Sequence, residues 1–105
     1  MTGIASVYAI FADADEAARI ARILVEERLA VCANILGPCR SIYRWQGRIE
    51  EAVEVAAVFK TGEAAAPRLI ARLAELHSYD VPCAVVWPVA HALDAYRDWV
   101  EENSR

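Results

Sequence analysis

The sequence predicts an α+β domain: an antiparallel sheet in βαββαβ order, with a long central hairpin and a further helix at the C-terminus. Three observations predict it. Strand-type runs alternate with helix-type stripes across residues 1–105 with no linker, repeat or shift of composition, which describes a single domain. Two runs rich in Val, Ile, Tyr, Trp and Phe flank Gly47 between Ala30 and Thr61, the pattern of two antiparallel strands closed by a tight turn. One apolar run precedes the first helix and another follows the second, so two βαβ crossovers share the hairpin.

Each element has its own warrant. Ile4 to Phe11 is a short apolar run of the kind that forms a central, covered strand. Asp13 followed by Glu16 matches a capping box, with acidic groups at the positive end of the dipole. The helix is expected to continue to about Leu29, burying Ala17, Ile20, Ala21 and Leu24 while Arg19, Arg22 and Glu26 face water. Val31 to Trp45 is the outgoing strand. Pro38 lacks an N–H, so a bulge, a kink or an edge position is expected at Gly37-Pro38. Arg48 to Lys60 returns. Pro67 fits only a first turn, so the second helix starts between Glu63 and Ala66; Leu69, Ile70, Leu73 and Leu76 form its stripe, and it ends near His77. Ser78 to Pro82 is an extended loop, because Pro82 disfavours helix at Val81. Cys83 to Val89 is the last strand, its Pro88 placing it at an edge or an end. Asp94 to Asn103 is a short helix with Leu93, Tyr96, Trp99 and Val100 as its contact face. This order is the ferredoxin-like arrangement. Right-handed crossovers put both long helices on one face and leave the other to water or a partner.

The hairpin is too long for the domain that carries it. Runs of about 13 to 15 residues extend roughly 45 Å, whereas a compact chain of this length is about 33 Å across. An overhanging aromatic ribbon invites aggregation unless another chain covers it, so an oligomer is expected. The hydrophobic fraction of 57% is high for a small domain and points the same way.

Charge and composition narrow the function. Eleven basic against fifteen acidic residues leave a net charge of −4, which argues against a nucleic-acid or anionic-membrane partner. Met1-Thr2-Gly3-Ile4 shows no secretory pattern, and the apolar runs are too short to span a bilayer, so the expected location is cytoplasmic. Cys32, Cys39 and Cys83 make neither a disulfide framework nor a Cys-x-x-Cys site. In an unbroken strand Cys32 and Cys39 face opposite ways, a parity that a bulge at Gly37-Pro38 would change.

Four ordered motifs carry a family resemblance: Arg28-Leu29-Ala30-Val31-Cys32-Ala33-Asn34-Ile35, then Ser41-Ile42-Tyr43-x-Trp45-x-Gly47-x-Ile49-Glu50, then Lys60-Thr61, then Leu76-His77-Ser78-Tyr79-Asp80-Val81-Pro82. In this order, with Tyr96-x-x-Trp99 behind them, they resemble the CutA divalent-cation-tolerance family over nearly the whole chain. The resemblance implies a tight homotrimer held by intersubunit strand pairing and related in architecture to PII signalling proteins. It implies a non-enzymatic role in tolerance or binding of divalent metals such as copper. The metal set proposed in that family uses a first-strand cysteine and a histidine pair. Here Phe11 and Leu76 stand at the cysteine and the first histidine, leaving His77.

The candidate ligand-binding residues are His77, Tyr79, Asp80, Lys60, Glu51 and Trp45, lining clefts between subunits, with His77 as the candidate metal ligand. Imidazole is the commonest ligand type and also suits a helix C-terminus, where an imidazolium meets the negative dipole end. His91 reads as solvated. Glu50, Glu51 and Glu54 read as solvated or paired with Arg44 or Arg48 across the turn, since Glu51 and Glu54 point to opposite faces and Glu50 lies about 13 Å from Glu54. Across a subunit interface they meet Lys60 or His77 of a neighbour. Lys60 alternatively steadies an anion at the following helix start. Tyr43 and Trp45 share a face and read as packing residues. A trimeric scaffold for another protein is the second reading. An acylphosphatase-like hydrolase ranks last, because Ala12-Asp13-Ala14-Asp15 is acidic where a phosphate cradle needs arginine.

Overall fold

The long hairpin sets the outline of the molecule. In the computed structural model, which describes residues 2–104, the chain extends 44 × 25 × 22 Å with a radius of gyration of 14.2 Å. The strands are β1 (Ile4–Phe11), β2 (Cys32–Trp45), β3 (Arg48–Gly62) and β4 (Ala84–Pro88), and the helices are α1 (Ala14–Glu26), α2 (Ala66–Leu76) and α3 (Asp94–Asn103), with a 3₁₀ turn at Glu63–Ala65 leading into α2. The sheet order is β2-β3-β1-β4, and every pairing is antiparallel. The predicted α+β, ferredoxin-like arrangement is the one observed. β1 is central, and the two proline-bearing strands, β2 and β4, lie at the edges, where a missing N–H leaves no gap in the ladder.

Alternation along the strands divides the sheet into two faces. Ala5, Val7, Ala9 and Phe11 of β1 and Val55, Ala57 and Phe59 of β3 pack against Ala17, Ile20 and Leu24 of α1 and Leu69 and Leu73 of α2. Phe11 meets Phe59 edge-on at 6.2 Å, a favoured aromatic geometry. Arg72 on α2 grips Glu27 with two hydrogen bonds of 3.0 and 2.9 Å, tying the helices together. The other face is not wholly open. α3 lies over one end of it, where Val100, Ile4 and Val31 form a second small core. There the Tyr96 hydroxyl lies 3.6 Å from the Cys32 thiol. Burial, then the Cys32 contact, push this phenol up to about 12. Leu93 and Trp99, expected in the contact face of α3, are instead exposed.

Three local features depart from the expected pattern. α1 stops at Glu26 rather than near Leu29, because Arg28 turns left-handed at φ 62°. Leu29 N–H then donates to Leu24 O and Arg28 N–H to Val25 O, a Schellman closure that ends the helix. The hairpin turn places Gln46 at φ 48° and Gly47 at φ 79°, the two positive values a type I′ turn demands. The bulge falls on Leu36: Ile35 pairs with Ala57 and Gly37, at φ 104°, with Ala56. One inserted residue restores parity, so Cys32 and Cys39, opposite Lys60 and Glu54, share a face rather than opposing one another.

Candidate functional site

The site is built where the overhanging hairpin passes the loop after α2. Beyond the bulge, Ser41, Tyr43 and Trp45 project from β2 to the face opposite the two long helices, beside Glu54 of β3 and Ile10 of β1. The loop supplies Tyr79, Asp80, Val81 and Cys83, and together these residues line a cavity of about 460 Å³. That volume lies in the ordinary range for small-molecule sites, about 300–1,000 Å³.

Glu54 is the surprise of the cavity. It was expected to be solvated or ion-paired, yet it is only 7% exposed. The Tyr79 hydroxyl donates to its Oε2 at 2.6 Å, a charge-assisted bond that holds a carboxylate where burial would otherwise penalise it. Its negative charge is felt around the cavity. Burial first, and Glu54 after it, raise both the Tyr79 phenol and the Cys83 thiol. The Tyr8 phenol, stacked on Trp87 at 5.0 Å, is raised by burial and then by Cys39, Cys83 and Glu54.

His77 stands behind the cavity as its foundation. Its side chain is fully buried and stacks on Phe11 at 5.2 Å. Tyr79 N–H donates to Nδ1 at 3.0 Å, so Nδ1 is an acceptor and Nε2 carries the proton. Nε2 then donates to Ile10 O at 2.7 Å. The ring is a neutral clamp between loop and β1 rather than a charged helix cap. Glu16 completes the clamp. Asp13 caps α1 by accepting from Glu16 N at 2.8 Å, as expected. The Glu16 carboxylate, however, does not close a capping box. It accepts from Ala12 N at 3.1 Å and from Ser78 N at 2.9 Å. Burial opposes its charge, but the hydrogen bonds from Ser78 and Ala12 win and lower the carboxyl below its usual range.

The six expected ligand residues therefore separate. Trp45, Tyr79 and Asp80 meet in the cavity. His77 supports it without an exposed nitrogen. Glu51 points to the opposite face of the hairpin and pairs with Arg40 at 3.0 Å, not with Arg44 or Arg48. Lys60 lies opposite Ser6 and Cys32, six residues and about 20 Å along the strand from Glu54. Glu54, Glu16 and Tyr43 are the functional side chains that sequence reasoning undervalued. One signal for Glu54 was its place in alternation with Ala52, Ala56 and Val58 on one face of β3.

The residues of one chain do not fit a metal ion. Both His77 nitrogens are engaged, Phe11 and Leu76 offer no donor, and among the described residues no group of three or more His, Cys, Asp or Glu side chains is placed to hold one.

Comparison with known proteins fits this geometry. Residues 5–103 match the model of the CutA1 divalent ion tolerance protein family. The divalent-cation tolerance protein CutA of Thermus thermophilus is 46% identical over 99 residues, covering 93% of this chain and 96% of the relative. The Thermus CutA1 structure superposes with a TM-score of 0.94 at 41% identity, covering 97% and 99% of the two chains. The structure of the periplasmic divalent cation tolerance protein CutA of Archaeoglobus fulgidus does so with 0.92 at 34%, covering 95% and 97%. The fold and its hairpin are thus those of a small α+β divalent-cation tolerance protein. The chain belongs to the CutA family. No helix among the described residues is long and apolar enough to cross a membrane.

Proposed function

We propose that this chain acts without catalysis in divalent-cation tolerance, as a cytoplasmic homotrimer whose ligand sits in clefts between subunits. One observation carries the reading: the outer half of the hairpin displays Ile42, Ile49 and Val53 at 65%, 60% and 73% exposure. Such a ribbon is stable in water only when sister chains cover it. The two sheet edges, β2 and β4, are open to pairing with neighbours, and the cavity at the root of the ribbon then becomes a shared cleft. A divalent ion, copper included, would have to draw its ligands from two subunits, because one chain brings no such set together. A trimeric anchor for another protein is the second reading. It draws on Leu93 and Trp99, which α3 leaves exposed.

Light scattering tests the assembly. A trimer of the 11.6 kDa chain has three times that mass, and a stable monomer at micromolar concentration overturns the shared cleft. Calorimetric titration with copper, zinc and small anions reads the ligand, and silence toward all of them favours the anchor.

A further inference from the structure

The cavity has a chemical bias that neither a metal nor an anion satisfies. Three aromatic rings, Tyr43, Trp45 and Tyr79, line it together with the carboxylates of Glu54 and Asp80, and no Lys, Arg or His is among its described lining residues. An anion would meet two negative charges with no cation to balance them. A divalent ion needs several donors converging at short range; among the described residues no three His, Cys, Asp or Glu side chains do so, and one Glu54 oxygen already accepts from Tyr79. A neutral apolar ligand would displace water from the buried Glu54 carboxylate and return nothing to it.

We propose that this cavity binds a small organic cation, an alkylated or protonated amine, held over the Tyr43, Trp45 and Tyr79 rings with Glu54 and Asp80 as its counter-charge. Aromatic faces attract cations through the ring quadrupole, and the attraction grows once the site is desolvated. Glu54 is placed to reward that desolvation, because its side chain is already largely out of water and fixed by the Tyr79 hydroxyl. The field acts on the protein's own groups too: Tyr79 and Cys83 are kept in their neutral forms by burial and by the Glu54 charge. The assignment rests on the reading of the cleft as a binding site and names the ligand class for it. All five residues belong to one chain, so the core of the site exists before assembly, and a neighbouring hairpin adds a wall.

Calorimetric titration of the full chain with tetramethylammonium chloride tests it, with tert-butyl alcohol as a neutral probe of similar size and sodium acetate as the anion. Tetramethylammonium is expected to bind at least about tenfold more tightly than the alcohol, with acetate silent. Glu54→Gln keeps an acceptor for Tyr79 and removes the charge; it is expected to weaken tetramethylammonium binding by about tenfold. Should that variant fold poorly by circular dichroism, Asp80→Asn on the exposed loop reads the same charge with a smaller loss. No heat with tetramethylammonium, or equal affinity for the alcohol, overturns the proposal. A trimer that takes acetate or copper but not tetramethylammonium overturns the ligand class while leaving the shared cleft standing. A monomer that still takes tetramethylammonium upholds the ligand class and overturns the shared cleft.

Discussion

β3 is one strand with two environments, and the contrast between its halves explains much of the molecule. From Val55 to Thr61 it is almost wholly buried, pressed between β1 and the helices. From Arg48 to Val53 its side chains are exposed or half-exposed, with only β2 beside it. Both halves carry apolar residues, Val55, Val58 and Phe59 inside and Ile49 and Val53 outside, although Arg48, Glu50 and Glu51 make the outer half more charged; what separates their apolar residues is cover. The inner half finds its cover in α1 and α2 of the same chain, where Phe59 is fully buried among Phe11, Leu69 and Leu73. The outer half carries residues of the same apolar kind with nothing of its own chain to meet them. The inner half is therefore the part that secures the fold, and the outer half is the part the proposed assembly would cover.

The strongest way to break that division is at its inner end. Phe59→Ala removes a fully buried ring beneath both long helices, and such truncations cost about 3–5 kcal/mol. Urea unfolding followed by circular dichroism should show a loss of that size. A loss below about 1 kcal/mol, the usual range for surface positions and little more, would mean that the inner half is not where the fold is secured.

Between the halves lies the clamp that seats the Ser78–Cys83 loop against β1, and it is breakable by pH. The folded Glu16 carboxyl titrates below its usual value of 4.5, so the unfolded chain binds the proton more readily. The stability it contributes is complete above the unfolded value and is lost as pH falls through the lower, folded one. Glu16→Gln deletes the charge and one of two acceptors, a loss of about 1–3 kcal/mol near neutral pH. The gap between wild type and variant should close as pH drops below the usual value of 4.5 and on through the lower, folded one. A gap that stays constant from neutral to acid pH would show that the Glu16 charge contributes nothing and that only its shape matters.

These contrasts also mark how far the amino-acid sequence could be read. Element order and the stripes of the two long helices were legible from local periodicity, and edge positions for the proline-bearing strands were among the readings left open; the stripe of α3 was only half right, since Leu93 and Trp99 are exposed. The role of Glu54 was not legible. Alternation says which face it takes but not that Tyr79, 25 residues away, returns to cover it. Glu16 was read as a local cap because Ser78, 62 residues on, is brought to it only by the packing of α1 beside α2. The pairing of Cys32 and Cys39 on one face depended on a single extra residue at Leu36, and only the observed ladder register locates it. His77 was legible as a site residue but not in its role, since the direction of its two ring nitrogens is a tertiary fact. The overhang of the hairpin, by contrast, was plain from its length alone.

The gentlest test of the division acts at the outer half. Val53→Arg replaces the most exposed of the large apolar residues on β3 with a side chain that water accepts and an apolar interface does not. The backbone pairing with Arg40 is untouched, and no side chain of the core moves. Within a single chain the change should stay inside about 0.5 kcal/mol, as for most surface substitutions, and the far-UV circular dichroism spectrum should be unaltered. Light scattering should nevertheless report a mass falling from the assembled value toward the 11.6 kDa of one chain, since a charge buried without a partner is strongly disfavoured at an interface. The combination is what carries weight: folded, but alone. A variant that keeps the assembled mass would place Val53 outside the covered surface, and one that unfolds would show that the outer strand belongs to the fold after all.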